Sequence, residues 1–289
     1  MIINECQLEE VNQINILPIS QVIPEKNIIV LSPHYDDTIF FLGGYIFELQ
    51  AQNLLDNKKF ENISVFSRSN YQARDDEGNI DTSLDRIKLA SGRRIFEDLN
   101  CLDELFGDYN YKYRLLGEKE SQVRGKIFAD SDMEFPHGMY DCFEDSDWEI
   151  MGRLKKVLEE LAELEDTAIV LPVGFKEHID HFIVREAGLA VAKQLGTKAT
   201  AKFYFAEDKP YSGIANDEEL ERIEQFVSAN NLVSKAYRHH PDKVIEVAFK
   251  HYISQVEDVY ITGINQRSDF LKSLYSVNHP VDRIYTYHA

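Results

Sequence analysis

Residues 27–44, NIIVLSPHYDDTIFFLGG, leave this chain few folds to choose from. Ile28 to Leu31 is a short apolar run suited to a fully buried strand. Ser32-Pro33 ends it, because proline has no N–H to donate and turns its neighbour away from helix. His34, Tyr35, Asp36 and Asp37 come next, followed by an apolar helix-like run from Thr38 to Leu49. A strand that hands over to a helix through His-x-Asp-Asp puts polar groups at the carboxyl end of a sheet strand. Open α/β sheets bind their ligands at that edge.

His34 and Asp37 are three apart, so in a first helical turn they share a face. An imidazole and a carboxylate are two of the three protein ligands of a catalytic zinc site, which keeps its fourth position open for water. Asp36 points elsewhere, within reach of that water. The same two aspartates would also serve as simple caps, since a helix N-terminus favours anions. A third ligand decides between the readings.

Composition narrows the functions. The 289 residues suffice for one large α/β domain or two small ones, and 44% hydrophobic content is enough for a core. A net charge of −19 argues against binding nucleic acid, which relies on lysine and arginine to neutralise phosphates. Cys6, Cys101 and Cys142 are too few and too scattered for a disulfide framework or a cysteine zinc knuckle. The opening MIINECQLEE is acidic where a secretory signal is basic, and no run reaches the roughly 18 apolar residues of a membrane span. A cytoplasmic location is the expectation.

Further along, residues 1–26 read as an irregular lead-in and 63–66 as a second strand. Residues 74–82 read as loop, 86–99 as helix and 103–147 as long variable loops. The apolar spacing from Ile150 to Leu164 predicts a helix, and 167–173 a third buried strand. Residues 180–195 form a helix that Gly196 is placed to end. A strand over 201–205 and helices over 217–229 and 242–258 follow. Strands alternating with helices predict an α/β, Rossmann-like architecture: a largely parallel central sheet with helices on both faces, in one domain spanning 1–289.

Residues 174–181, GFKEHIDH, repeat the topology of the first motif: buried strand, glycine-bearing loop, His/Asp cluster, amphipathic helix. His178, Asp180 and His181 sit at its mouth. Here the chain resembles the PIG-L/LmbE-like family of zinc-dependent N-deacetylases. SPHYDD matches the family's first motif, (A/S)PHxDD, and HIDH its second, HxDH. FYFAEDKPY and KVIEVAFKHYISQ are weaker echoes. Thr38 departs from the Glu common at that position.

The resemblance implies that His34, Asp37 and His181 hold Zn2+, that Asp36 is the general base, and that His178, as a charged imidazole, is the acid or oxyanion partner. Asp180 would orient one of the two histidines beside it. The implied reaction removes an N-acetyl or N-acyl group from a small-molecule amino sugar or its conjugate. Tyr71, Tyr109, Tyr111, Tyr113, Phe135, Trp148 and Tyr211 offer sugar-stacking surfaces, although aromatics in loops more often pack. The alternative is a non-catalytic sugar- or metal-binding protein that keeps the deacetylase fold. A Rossmann nucleotide site is disfavoured, because Gly43-Gly44 lies inside the helix and is not GxGxxG.

Overall fold

Seven strands form one sheet in the computed structural model, which describes residues 16–71, 81–107, 110–126, 140, 142–175 and 178–289. They are β1 (Asn27–Ser32), β2 (Lys59–Ser64), β3 (Tyr111–Leu115), β4 (Thr167–Pro172), β5 (Lys202–Ala206), β6 (Leu232–Arg238) and β7 (Val281–Tyr287). The order across the sheet is β3-β2-β1-β4-β5-β7-β6. The first five run parallel, and β7 is antiparallel to both its neighbours.

The helices are α1 (Ile19–Val22), α2 (Asp37–Ala51), α3 (Leu84–Phe106), α4 (Asp145–Leu161), α5 (Ile179–Leu195), α6 (Tyr211–Ile214), α7 (Asp217–Ala229), α8 (Pro241–His251) and α9 (Asp258–Leu274). Alternation along β1 divides them between two cores. Ile28 and Val30 pack with α2, α3 and α8, whereas Ile29 and Leu31 pack with α4 and α5. The expected α/β architecture is therefore present. The chain winds outward from β1 to β2 and β3, then returns to the other side of β1 at β4. That reversal opens a crevice at the carboxyl ends of β1 and β4, the ligand-binding position of such sheets. Among the described residues no helix is long and apolar enough to cross a membrane.

Three expectations differ from the structure, the first being the irregular lead-in, within which Ile19–Val22 forms α1. Residues 103–147 are not loops throughout, because α3 continues to Phe106 and Tyr111–Leu115 pairs with β2. β3 carries lysine and arginine on a half-exposed edge, the charged composition that protects sheet edges and hides a strand from apolar patterning. The helix expected over 242–258 ends at His251, and the next begins only at Asp258. Ser254 and Gln255 leave helical geometry to bond the Glu97 carboxylate of α3. Beyond 258, α9 and β7 add elements that the sequence reading did not assign, as does β6 before them. Of the expected loop over 74–82, residues 74–80 lie outside the described residues.

Helix α2 is buried from Asp37 to Leu49. Its glycine pair makes this possible: a Cβ on Gly44 would stand 2.2 Å from Nδ1 of the buried His239 ring. Gly92 on α3 is the contrast, with nothing within 4 Å of its would-be Cβ. Gly44→Ala is therefore expected to destabilise the protein by about 1–3 kcal/mol through overpacking. Gly92→Ala should instead stabilise by about 0.5–1 kcal/mol through helix propensity. Chemical denaturation of both variants checks the pair, and equal effects would show that α2 has room to spare.

Candidate active site

The turn after β1 is closed by its own side chains. Ser32 Oγ donates to the His34 carbonyl at 2.6 Å, and the His34 N–H donates to Asp37 Oδ2 at 2.6 Å. Asp36 stands at the N-cap of α2 but makes no capping bond. Asp36 is therefore not a capping side chain, and Asp37, in the first turn, bonds back to His34. Across the crevice, His178 caps α5: its Nδ1 accepts the Asp180 N–H at 3.2 Å.

Parallel pairing of β1 with β4 brings the two turns together. His34 Nδ1, Asp37 Oδ2 and His181 Nε2 converge, with separations of 3.5, 3.4 and 3.2 Å. A tetrahedral ion with bonds of about 2 Å keeps its ligand atoms about 3.3 Å apart, so these three atoms fit a zinc-sized cation. His34, His178 and His181 also form a buried histidine group whose ligand atoms lie within 4.8 Å of one another.

Each converging histidine is backed by a carboxylate. His34 Nε2 is 3.0 Å from Asp180 Oδ2, and His181 Nδ1 is 3.2 Å from Asp208 Oδ1. Such partners fix the tautomer, leaving the other ring nitrogen to face the cation, and they raise ligand basicity. Asp208 is itself held by the Gly174 and Phe175 N–H groups at 2.5 and 2.7 Å. Asp180 also accepts the Ser121 N–H at 2.9 Å and faces Arg124 Nη2 at 2.8 Å. Of the two histidines beside it in sequence, Asp180 meets His178 through its backbone N–H. Adjacent side chains on a helix diverge, and its carboxylate crosses to His34 of the other motif.

Asp36 lies apart from the converging atoms. Its Oδ1 is 3.5 Å from Arg94 Nη2, a guanidinium held by Gln255 and Ser69 at 2.6 Å each and by Glu120. Burial and then neighbouring Asp37 push the Asp36 carboxyl up, against Arg94 and His34. Burial also acts on Asp37, but His181 and His34 outweigh it and hold that carboxyl down. Burial and then His34 push His178 well below the usual imidazole range. With Nδ1 accepting a backbone N–H, its proton sits on Nε2.

Sequence reading missed Arg94, Glu120 and Asp208 as parts of this site. Asp208 had a signal in the FYFAEDKPY segment, whereas Glu120 sits in an otherwise unpatterned stretch. Of the aromatic candidates, Tyr111 and Tyr113 bond Asp103 and Asp98 from β3, and both pack against the core. Tyr211 lies 6.4 Å from the His181 ring, Tyr71 lies under Arg94, and Trp148 is half-exposed on Tyr140. Tyr109 and Phe135 lie outside the described residues.

No family model and no curated protein sequence matches the chain. The fold does match solved structures. The zinc-inhibited form of a teicoplanin deacetylase aligns at a TM-score of 0.60 and 16% identity, over 90% of this chain and 97% of that one. The A40926 pseudoaglycone deacetylase aligns at 0.54 and 16%, over 92% and 99%. The N,N'-diacetylchitobiose deacetylase of Pyrococcus horikoshii aligns at 0.56 and 10%, over 99% and 93%. At these identities the likeness is one of fold.

The two ways of choosing a third ligand make a prediction. Metal analysis should find about one zinc per chain, lost in His34→Ala, Asp37→Ala and His181→Ala but kept in His178→Ala. Asp208→Asn should weaken the metal about 10–100-fold. Loss of zinc in His178→Ala with retention in Asp37→Ala would establish the three-histidine set instead.

Proposed function

We propose that this chain is a zinc-dependent hydrolase that removes an N-acetyl or other N-acyl group from an amino sugar or its conjugate. The observation that carries the proposal is the convergence of His34, Asp37 and His181 beside a buried carboxylate, Asp36, that takes no part in the convergence. The structural neighbours named above, deacetylases of teicoplanin, A40926 pseudoaglycone and diacetylchitobiose, support the reaction type. Bound zinc would lower the pKa of water towards about 7 and polarise the amide carbonyl.

In this reading the chain's own residues carry the proton transfers. Asp36 accepts a proton from the water that attacks the amide carbon. Arg94 holds that carboxylate in place. The neutral His178 offers its Nε2–H to the oxygen on which negative charge develops, as oxyanion donors do. A neutral imidazole is a weak acid, so Asp36 returns its proton to the departing nitrogen as the C–N bond breaks. The products are a carboxylate and a free amine. Asp180, locked by Arg124 and the Ser121 N–H, positions His34 rather than touching substrate.

Asp36→Asn keeps the shape of the side chain and removes its basicity. It should retain zinc and KM while kcat for amine release falls by roughly 10²–10⁴-fold, the range of general acid–base catalysis. The assay is amine release from a panel of N-acetylated amino sugars, with chelator as control. Unchanged turnover in Asp36→Asn would move the base elsewhere. Absence of amine from every substrate, with zinc bound, would favour the binding-protein reading.

A further inference from the structure

A pocket of about 440 Å³ lies where the segments after β2 and β3 meet the start of α4. Arg68, Lys119, Arg124 and Arg153 line it, against the carboxylates of Glu118 and Glu149. That excess of positive charge stands out on a chain of net charge −19.

Pairing inside the wall leaves two of the four cations over. Arg153 takes Glu118 in a two-pronged contact at 2.6 and 2.9 Å and lies 3.7 Å from Glu149. Arg124 is committed to Asp147 and Asp180 at 3.0 and 2.8 Å. Among the described residues Arg68 and Lys119 form no ion pair. Yet they face each other across a parallel β-bridge. Both side chains are exposed, and like charges in register repel weakly through solvent, so a bound anion would be favoured between them. Gly117, at φ +74°, lies beside the Arg68 guanidinium in the pocket wall.

We propose that this pocket is an anion site, in which Arg68 and Lys119 together take a phosphate or carboxylate group of a small molecule. A planar guanidinium gives two parallel charge-assisted bonds to such a group, and an ammonium adds a point charge. Arg124 belongs both to this wall and to the Asp180–His34 pair, so the occupant sits one side chain from the residues that position His34. The group belongs either to the substrate, which on the reading above is then an acidic N-acyl amino sugar, or to a separate small anion.

The test titrates inorganic phosphate into the zinc-loaded protein by calorimetry, at low and at high salt. Phosphate at the metal centre would be common to wild type and to Arg68→Ala/Lys119→Ala, so their difference isolates the pocket. The double variant should weaken a saturable component by about tenfold or more, and salt should weaken the same component in wild type. Arg68→Lys/Lys119→Arg should keep it. Identical isotherms for wild type and the alanine pair would overturn the proposal, and because binding needs no turnover, that result is separate from any failure of deacetylation. A second arm distinguishes the sources through kcat/KM for N-acetylglucosamine and its 6-phosphate. A selective loss on the phosphorylated sugar in the alanine pair assigns the site to the substrate's own group. Loss of phosphate binding with unchanged selectivity assigns it to a separate anion.

Discussion

The pairing of β1 with β4, Asn27 opposite Thr167 through Val30 opposite Val170, is the contact on which the rest depends. It sets two unrelated stretches of sequence at one height, so that both turns release their polar side chains into the same crevice. A slip of one residue would turn Ile28 and Val30 to the wrong core and carry His34 away from His181. Because both faces of the sheet are buried, that register is strongly enforced. The precision of the polar site is in this sense supplied by apolar packing beneath it.

The cost of the arrangement is electrostatic. Asp37, Asp180, Asp208, Glu120, Arg94 and Arg124 are withdrawn from water around His34 and His181. An isolated buried charge is prohibitive, and even a paired one seldom gains stability over an apolar substitute. The network is accordingly extended until its charges are met: Asp180 by Arg124 and a backbone N–H, Asp208 by two N–H groups, Arg94 by Glu120 and Gln255. Such investment is better explained by a task at the crevice than by a contribution to folding.

This also accounts for what could be read in advance. The strands β1 and β4 and the helices behind them carry uninterrupted apolar patterns, and their motifs are compact in sequence. The convergence of SPHYDD with HIDH was therefore legible before any coordinates. Helix α3 was legible only in part, because its buried face carries Arg94, Glu97 and Asp98, and a helix that turns charges inward breaks the pattern that reveals helices. The break between α8 and α9 escaped for the related reason that Ser254 and Gln255 serve those same charges. β3 was hidden by the charges that guard its edge. In these three cases the residues answer to the site or to the sheet margin rather than to a core.

Adjacent Asp36 and Asp37 show how one dipeptide can hold two roles. Consecutive residues at a helix start point about 100° apart, so only one carboxylate can join His34 and His181. Asp37 does so and receives the His34 N–H as well. Asp36 is turned towards Arg94, where one charged contact at 3.5 Å fixes its direction without enclosing it. The first is surrounded by groups that favour its anion, and the second is pressed by burial and by the first. Paired carboxyls whose surroundings push them apart are the pattern by which one becomes a ligand or stabiliser and the other exchanges protons. The division follows from helix geometry and from the placement of a single arginine on α3, and on the proposed function it gives Asp36 a use that neither capping nor metal binding supplies.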